Sequence, residues 1–463
     1  MNATSIYEAL PIPLQNLACT YAGWQRARAR YTPYFHETLA SWMKSGWSSE
    51  EELRAFQQGR MAAIVERART SVPHYGALDI PEPKLDSDPR AGIESMLATF
   101  PVLEKAVYRD APKSFLSVAI DQGSLIKGKT SGTTGTALPL WYTPEALAEE
   151  FVSVWRLRIH HGIKFDDPQI TLGGQSIVRI GQSKPPYWRR NHWAKQTLFS
   201  LYHMSPANLP DYIDAIHESD AAYIQGYPSS FYLLGRAMLD AGRPLPKGKL
   251  KAVLPSSESL LAFHSEVIKE AFQAPILDRY GASEFAVSMT ACREGLLHVD
   301  MEFGYVEVEV EEETEDYVRG PLIVTGFANQ ATPLIRYRIG DVGTRSKKPC
   351  RCGRPGDVFL DVDGRVEDYV VTPDGRFIGR LDHIFKEQTD IAEAQILQDD
   401  ADAIEVRVIR QPNFDSGSEA TLIREIRSRL GDEIQIDLSF VDEIPREANG
   451  KFRAVKSRVG RKA

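Results

Sequence analysis

The chain is short of cysteine and of long apolar runs, and both shortages limit what it can be. Four cysteines among 463 residues are too few for a disulfide-stabilised scaffold, so the fold must depend on an ordinary hydrophobic core. No apolar run approaches the ~18 residues that predict a membrane-spanning helix. Residues 1–16 contain no basic segment followed by an apolar one, so no secretory signal is predicted and the cytoplasm is the expected location.

Basic residues are in the minority. The chain has 55 Lys and Arg against 63 Asp and Glu, a formal net charge of −8, which argues against a general nucleic-acid-binding protein. With 43% hydrophobic and 25% charged residues, the composition is that of a globular chain. The length predicts two or three domains, and the charge favours small or neutral partners.

One segment combines hydroxyl groups and glycines at high density. Lys129 is followed by four hydroxyl-bearing residues and two glycines, in the order Thr130, Ser131, Gly132, Thr133, Thr134 and Gly135. Glycines let backbone N–H groups turn toward a ligand, and the hydroxyls add donors that suit phosphate oxygens. The segment therefore predicts a polyphosphate-binding loop, with a polar surface turn as the alternative.

An overlapping segment fits a different phosphate motif. Residues 123–130 match the P-loop pattern, which needs a preceding strand and a following helix. Phe115–Ile120 is mostly apolar and partly β-branched, which predicts the strand. Gly132, Gly135 and Pro139 would interrupt the helix. We therefore reject a P-loop phosphotransferase as the first interpretation and keep it as the last alternative.

Apolar periodicity predicts an α/β protein that begins with helices. Residues 5–70 have helical composition and contain a capping box at Ser49 and Glu52. Further on, Lys251–Leu254 predicts a strand and Leu260–Phe272 a helix, the alternation of an α/β layer structure.

A domain boundary is expected near Gly364. It divides the chain into a domain of residues 1–364, helical over 1–75 with an α/β core after it, and a small α+β domain of residues 365–463. Turn residues cluster just after the boundary, and a β–α–β pattern follows them.

Alternating apolar residues mark three further strands. Tyr305–Val310 alternates as a half-solvated strand would, and so do Ile404–Val408 and Ile434–Val441, with helical composition over Glu419–Leu430. The basic end beyond Lys451 predicts an exposed, mobile tail.

Four short motifs follow the hydroxyl-rich loop in order. They are Tyr280–Glu284, Thr332–Asp341, Gly364–Asp368 and Asn449–Arg453. At these residues the chain resembles the adenylate-forming ligase superfamily. It is most similar to the branch of phenylacetate–CoA ligase and the ligase-like proteins of capsular-polysaccharide clusters. The resemblance runs from Pro101 to Lys451 and implies a large N-terminal adenylate-forming domain with several sheets and helices, followed by a small, mobile C-terminal lid.

The resemblance implies a two-step reaction. A small carboxylic acid attacks ATP to give an acyl-adenylate and pyrophosphate, and the acyl group then passes to a thiol, coenzyme A first. The carboxylate is already ionised at pH 7, so charge compensation and alignment are needed rather than a general base. Transfer to a carrier protein, amine or sugar is one alternative, and a non-catalytic nucleotide-binding assembly protein is another. The oligomeric state, including a homodimer, stays open.

The resemblance also assigns roles to residues. The phosphate-binding set would be Thr130, Ser131, Gly132, Thr133, Thr134 and Gly135. The nucleoside set would be Ser257, Glu258, Tyr280 and Gly281 at adenine, with Asp341 at the ribose. The acyl pocket would contain Tyr227, Pro228, Phe285 and Ala286, whose aromatic members hint at an aryl acid.

Three residues are implied as catalytic. Glu284 would bind magnesium, a hard cation that takes few carboxylates plus phosphate oxygens. Arg365 would reach the ribose or the α-phosphate, and Lys451 would bring an ammonium to the α-phosphate when the lid closes. A surface carboxylate and a solvated tail lysine are the alternatives for Glu284 and Lys451.

Three of the four cysteines form a separate pattern with one histidine. Cys292 and His298 are spaced C-x5-H, and Cys350 and Cys352 form a C-x-C. Three thiolates and one imidazole can complete a closed tetrahedral zinc site, which would be structural. Some members of the phenylacetate–CoA ligase branch carry a zinc site with this spacing. Unlinked thiols beside a surface histidine are the alternative, and Cys19 is expected to be an ordinary buried thiol.

One segment departs from the family pattern. Many members have a glycine-rich stretch after the Gly-Arg motif that helps to bind the thiol acceptor, and residues 369–386 lack it. The usual hinge aspartate is Glu367, which should still permit rotation. The resemblance therefore implies adenylation, and this departure leaves the acceptor open between coenzyme A and the alternatives. His383 could touch the acceptor, although a structural histidine is favoured.

Overall fold

The computed structural model describes residues 3–130, 138–258, 260–363, 369–378, 381–384, 390–445 and 454–459. Within these ranges the helices are α1 (Ala3–Ala9), α2 (Ile12–Arg30), α3 (Pro33–Ser45), α4 (Glu50–Ser71), α5 (Pro73–Gly76), α6 (Pro89–Leu97), α7 (Lys105–Asp110), α8 (Pro144–His160), α9 (Leu209–Glu218), α10 (Pro228–Asp240), α11 (Ala262–Phe272) and α12 (Ser416–Leu430).

The strands of the first half of the chain are β1 (Ile126–Lys129), β2 (Pro139–Tyr142), β3 (Gln169–Gly173), β4 (Trp188–Asn191), β5 (Gln196–Ser200), β6 (Tyr223–Gly226), β7 (Ala252–Pro255), β8 (Arg279–Gly281), β9 (Ser288–Ala291) and β10 (Leu297–Val299). Those of the second half are β11 (Gly304–Val308), β12 (Glu312–Glu313), β13 (Tyr317–Gly326), β14 (Tyr337–Ser346), β15 (Val358–Asp363), β16 (Val370–Val371), β17 (Phe377–Ile378), β18 (Ile391–Asp400), β19 (Ala403–Arg410), β20 (Gln435–Phe440) and β21 (Val455–Ser457).

Helices fill the N-terminal part, as predicted. The capping box that opens α4 is present: the Ser49 hydroxyl accepts from the Glu52 N–H at 3.2 Å, and the Glu52 carboxylate accepts from the Ser49 N–H at 2.9 Å. At the other end of α4, Pro73 stops the helix because the residue before a proline avoids the α region. Buried residues of α4, including Met61 and Ile64, pack into the main hydrophobic core.

A mostly parallel sheet forms the first α/β layer. Its strand order is β4-β5-β3-β6-β7, in which β5, β3, β6 and β7 run parallel. All four residues of β7 are buried, as expected of a strand covered on both faces. Helices α9, α10 and α11 contribute to the same core, so the predictions of a strand over Lys251–Leu254 and a helix over Leu260–Phe272 are confirmed.

An antiparallel sheet forms the second layer. Its order is β11-β13-β14-β15-β10-β9-β8, with β12 beside β13. The strand predicted over Tyr305–Val310 was too long, because β11 ends at Val308 and Val310 is 50% exposed. Only the first residues of the alternation have a partner surface to pack against.

The predicted P-loop strand is wrong. Part of Phe115–Ile120 lies in a 3-10 turn, Pro112–Phe115, and strand β1 begins only at Ile126. Proline at the start of that turn and an exposed Val118 suit a surface connection better than a strand. Strand β1 pairs antiparallel with β2, so the two strands have the arrangement of a hairpin and not of a strand–helix unit. This geometry weighs against the P-loop alternative.

A smaller α+β unit follows. Its sheet has the order β20-β19-β18-β21, and Leu422 and Ile426 of α12 pack into its core. The predicted strands and helix of this unit are present. The expected tail is partly wrong, because Val455–Ser457 forms an edge strand parallel to β18. The fold is therefore the predicted mixed α/β architecture with a C-terminal α+β part, while Gly364 lies outside the described residues and the domain boundary stays a prediction.

The smaller unit contacts the rest of the chain through Arg376. Its guanidinium donates to the carbonyl of Tyr202 at 2.7 Å and to the carbonyl of Leu430 at 2.7 Å. In the ranges that the structure describes, no helix combines the length and the apolar character needed to cross a bilayer.

Candidate functional site

Tyr280 and Asp341 meet although three strands separate β8 from β14 in the sheet. The Tyr280 hydroxyl donates to Asp341 Oδ2 at 2.7 Å. Gly340, immediately before Asp341, has φ 93°, a conformation that glycine adopts without the steric cost of a side chain. Two residues predicted to contact the nucleoside are thus brought together.

Glu284 lies in a nearly buried site beside a phenol and an ammonium. It is 5% exposed, and its Oε1 accepts from the Tyr337 hydroxyl at 3.2 Å and lies 3.4 Å from Lys105 Nζ. Both contacts reach Oε1 of the carboxylate. Sequence reasoning missed Lys105 and Tyr337 as site residues, although Tyr337 lies in the Thr332–Asp341 motif and Lys105 is close to Pro101, where the resemblance begins.

The turn that presents Glu284 is held in an unusual backbone conformation. Phe285 has φ 53°, which is rare for a non-glycine residue and is retained only where the surroundings fix it. Tyr142 supplies that fixation: its ring stacks on Phe285 at 4.4 Å, and its hydroxyl donates to the carbonyl of Ser283 at 2.6 Å. Gly304 lets the chain approach closely, since a Cβ there would lie 2.8 Å from the carbonyl oxygen of Ala286.

The segments expected at adenine and at the acyl pocket are joined. Glu258 Oε2 accepts from the Ser229 N–H at 3.1 Å, at the start of α10 next to Tyr227 and Pro228. Ser257 has φ 70°, so the loop after β7 is also in an uncommon conformation. The helix start and this carboxylate suit each other electrostatically.

A cavity of about 760 Å³ lies beside Tyr227. Four arginines line it, two from α2 and two from α12: Arg26, Arg30, Arg424 and Arg429. Burial, together with the neighbouring cations Arg26 and Arg158, lowers the pKa of Arg30. Gln225 and Thr171 add polar groups at the same wall. Glu425 also lines the cavity and pairs with Arg429 at 2.7 Å, so four cations and one carboxylate leave this space between the two units with a net positive charge.

The hydroxyl-rich loop is described only at its first residue. The Thr130 Oγ1 accepts from the Leu138 N–H at 3.0 Å, which anchors the hairpin end, and Thr130 is buried. The other predicted phosphate and catalytic residues lie outside the described residues: Ser131, Gly132, Thr133, Thr134, Gly135, Arg365 and Lys451.

The three cysteines and the histidine converge. The ligand atoms of Cys292, His298, Cys350 and Cys352 all lie within 4.8 Å of one another. Cys292 Sγ is 3.7 Å from Cys350 Sγ, and Cys352 Sγ is 3.3 Å from His298 Nε2. These separations suit a shared ion, because two sulfurs bound tetrahedrally to zinc lie about 3.8 Å apart.

The local environment also fits a metal site. His298 is fully buried, and burial, with the Arg354 cation second, lowers its pKa to about 4, so the ring is neutral at pH 7 as a ligand must be. The backbone wraps the sulfurs: the Cys352 N–H lies 3.4 Å from Cys350 Sγ and the Arg354 N–H 3.3 Å from Cys352 Sγ. Cys19 lies elsewhere and is buried, as expected.

A buried ion network joins this cluster to strand β8. Arg354, two residues after Cys352, donates to Asp300 Oδ1 at 2.7 Å, and Arg156 donates to the same oxygen at 2.6 Å. Despite burial, these two cations lower the pKa of Asp300 to about 2. Asp300 also accepts from Ser288, which contacts the Arg279 guanidinium at 3.2 Å. Arg279 immediately precedes Tyr280.

Comparisons with known proteins agree with this fold. Residues 370–458 match the CapK C-terminal domain family. The chain is 24% identical to protein CapK of Staphylococcus aureus over 457 residues, 97% of this chain and 98% of that protein. It is 28% identical over 170 residues to indoleacetate–lysine synthetase of Pseudomonas savastanoi, 36% of this chain and 39% of that protein.

Solved structures extend the similarity to three dimensions. The structure of 2-hydroxyisobutyryl-CoA ligase in complex with 2-HIB-AMP and CoA has a TM-score of 0.52 at 18% identity, covering 87% of this chain and 89% of that one. The same enzyme in the postadenylation state has a TM-score of 0.50 at 16% identity. The chain is similar to CapK over nearly its whole length and has the fold of an adenylate-forming ligase, so the resemblance and the fold class predicted from the sequence are confirmed.

Proposed function

We propose that this CapK-like chain is an ATP-dependent ligase that activates a small carboxylic acid as its acyl-adenylate and then transfers the acyl group to an acceptor. The observation that carries the proposal is the hydrogen bond between Tyr280 and Asp341. Tyr280 belongs to the same short motif as the buried Glu284. A phenol and a carboxylate held together can contact a nucleoside, and Glu284 can hold a cation beside its phosphates. The fold shared with an adenylate-forming ligase supports the same reading.

Each group has a defined task in that reaction. Glu284 would hold magnesium through its carboxylate, and the bound ion would offset phosphate charge. Asp341 would accept hydrogen bonds from the ribose, and Tyr280 would stack on the adenine. The hydroxyl-rich loop would bind the phosphates through Thr130, Ser131, Gly132, Thr133, Thr134 and Gly135. Arg365 would reach the ribose or the α-phosphate.

Lys451 would supply the transition-state donor. An ammonium at the α-phosphate stabilises the charge that develops as the carboxylate attacks, and removing one such donor typically costs about 10²–10³ in rate. By the resemblance, Lys451 belongs to a mobile lid, which would bring its ammonium to the α-phosphate only on closure.

The acid would bind beside Tyr227, Pro228, Phe285 and Ala286, and the acceptor in the neighbouring arginine-lined cavity. Cations contributed by both units favour an acceptor with anionic groups, and coenzyme A carries several phosphates. The relatives keep two acceptor classes open, since one is named as a CoA ligase and another as an indoleacetate–lysine synthetase. Coenzyme A is the first choice, and an amine, a carrier protein or a sugar the alternative.

ATP–pyrophosphate exchange across a panel of aryl and alkyl acids tests the first step. Acid-dependent exchange by the wild type, lost on Lys451→Ala and kept on Lys456→Ala, would support the assignment. The second variant removes an equal charge from β21, a few residues away. Exchange that survives Lys451→Ala would overturn the catalytic role of Lys451. Tight ATP binding without exchange for any acid would favour a non-catalytic nucleotide-binding protein.

We also propose that Cys292, His298, Cys350 and Cys352 hold one structural zinc ion. The support is the donor set and its separations, since three thiolates and a neutral imidazole fill all four positions of a tetrahedral ion and leave none for water. Such a site would stabilise the fold and would take no part in acyl transfer. Elemental analysis of protein purified without chelator should find about one zinc per chain.

A further inference from the structure

Acidic side chains are absent from two segments that pack together. No Asp or Glu occurs over residues 9–36 or over residues 168–210, although the whole chain has 63 of them. The two segments contain eight Lys and Arg. Arg189 is buried, and the other seven make this region basic in a protein with a net charge of −8.

Hydrogen bonds hold the two segments in contact. Asn16 Oδ1 of α2 accepts from the Arg190 N–H at 2.8 Å, and Thr20 Oγ1 accepts from the His192 N–H at 3.1 Å. Gly23 allows the close approach, because a Cβ there would clash with the Asn191 side chain. Helix α2 and the hairpin of β4 and β5 therefore form one continuous surface, which we call the α2–hairpin surface.

The outer face of α2 carries a stripe of exposed apolar residues. Leu14, Leu17, Tyr21 and Trp24 follow helical spacing and are 36–59% exposed. The buried residues of α2 face the other way: Gln15, Cys19 and Ala27. Trp193, at the turn of the adjoining hairpin, is 51% exposed.

Cations border this stripe. The Arg28 guanidinium lies over the Trp24 ring at 4.9 Å, one turn further along the helix, and Arg190 and Lys195 are exposed on the hairpin. Asp166 lies 4.0 Å from Lys195 in an exposed pair, which contributes little to stability. Leucine with Trp and Tyr, edged by Arg and Lys, is the composition of a helix that lies in the interface of an anionic membrane. Trp and Tyr prefer that depth because one part of each ring is apolar and another polar.

We propose that the α2–hairpin surface docks the protein on an anionic phospholipid surface. Leu14, Leu17, Tyr21 and Trp24 would enter the headgroup boundary, and Arg28, Arg190 and Lys195 would contact the lipid phosphates. A second copy of the chain is a poorer occupant, because pairing two such surfaces would bring Arg28 and Arg190 of both copies together, and Asp166, beside Lys195, would offset only part of that charge. The docking is peripheral and is independent of the proposed ligase activity.

Sedimentation with vesicles tests the proposal on the full chain. Vesicles in which about one third of the phosphatidylcholine is replaced by phosphatidylglycerol should bind the protein at least about tenfold better than vesicles of phosphatidylcholine alone. Each cation near such an anionic surface raises the binding constant on the order of fivefold. Binding to the anionic vesicles should weaken as the salt concentration rises.

Two variants identify the surface. Leu17→Ser with Tyr21→Ser should lower anionic-vesicle binding about tenfold or more, because it removes apolar area from the stripe. The matched control, Leu85→Ser with Val118→Ser, changes residues that are 68% and 69% exposed outside this surface and should bind as the wild type does. Thermal unfolding of both should stay unchanged, since all four side chains are exposed.

Two results would overturn the proposal. One is equal binding to neutral and anionic vesicles, or no binding to either. The other is a wild type that is dimeric by light scattering and becomes monomeric in the Leu17→Ser, Tyr21→Ser variant, which would assign the surface to a second copy of the chain.

Discussion

The Tyr280 hydroxyl donates to Asp341 Oδ2 at 2.7 Å, and this bond links two residues that are 61 positions apart. It fixes the orientation of the carboxylate before any ligand arrives. A preorganised acceptor loses less side-chain entropy on binding, so the bond should contribute to nucleotide affinity although the phenol hydrogen itself need not contact the nucleotide.

Tyr280→Phe tests this idea because it keeps the ring and removes the hydrogen bond. ATP affinity, measured by calorimetry with magnesium, should fall by about three- to tenfold, because the lost preorganisation of Asp341 is comparable to one ordinary net hydrogen bond of about 0.5–1.5 kcal/mol. The ATP affinity of Asp341→Asn should fall at least as far. Tyr317→Phe is a matched control, because the Tyr317 hydroxyl donates to Glu312 at 2.7 Å on an exposed surface. Equal losses in Tyr280→Phe and Tyr317→Phe would contradict a role for the Asp341 pair.

Glu284 offers a second comparison within the chain. Its carboxylate contacts a tyrosine hydroxyl and a lysine, whereas that of Glu149 contacts the Tyr34 hydroxyl at 2.6 Å and the Arg60 guanidinium at 2.6 Å. Glu284→Gln should lower acid-dependent exchange by about 10²–10³ and raise the magnesium concentration needed for it. Glu149→Gln should lower thermal stability and leave exchange near that of the wild type.

The opposite pattern would place the two residues differently. If Glu149→Gln lost exchange as completely as Glu284→Gln, both effects would reflect a damaged core and not a lost magnesium ligand. Unfolding curves of the two variants, recorded in the same buffer, separate the cases.

The sequence predicted those parts of the structure that local patterns determine. The capping box at Ser49 and the alternation of β19 depend on neighbours in the chain, and both were predicted correctly. The strand expected over Phe115–Ile120 failed because a run of apolar residues does not reveal whether a partner strand is available. The predicted length of β11 was wrong for the same reason, since Val310 stays half exposed.

The candidate site was predictable through motifs, and its supporting contacts were not. Motif order brought Tyr280 and Asp341 into the same hypothesis, but their mutual hydrogen bond is a property of the folded sheet. The same holds for Arg354. Its position two residues after Cys352 is plain in the sequence, yet its contact with the buried Asp300 needs the strands to be assembled.

Zinc removal should destabilise the protein. Cys352→Ser removes one of four proposed ligands and frees the loop that positions Arg354 against Asp300. Zinc content should fall from about one per chain toward zero, and the unfolding temperature should drop by several degrees or more. Cys19→Ser is the control, because Cys19 is a buried thiol outside the cluster. Equal zinc content in the two variants would exclude Cys352 as a ligand.

Asp278, just before β8, should make the stability of the protein fall as the pH rises. Burial raises the pKa of this carboxyl from 3.8 to about 6, and the Arg279 N–H that donates to it lowers the pKa only in part. Below about pH 4 the group is protonated in both the folded and unfolded states. Between pH 4 and 6 the folded chain binds more protons, so the free energy of unfolding decreases, by about 1–3 kcal/mol in total.

Asp278→Asn should therefore stabilise the protein at pH 7.5, by about 1–3 kcal/mol in the free energy of unfolding, and have little effect near pH 4. Asp167→Asn should instead destabilise the protein at pH 7.5. Burial alone would raise the pKa of Asp167, but the hydrogen bond from Lys251 lowers it. The ionised Asp167 therefore stabilises the folded protein above about pH 4, and this stabilisation is lost in acid. Urea unfolding at pH 4 and pH 7.5 measures both variants. A loss of stability in Asp278→Asn at pH 7.5 would show that the ionised carboxylate at position 278 is stabilised by its surroundings.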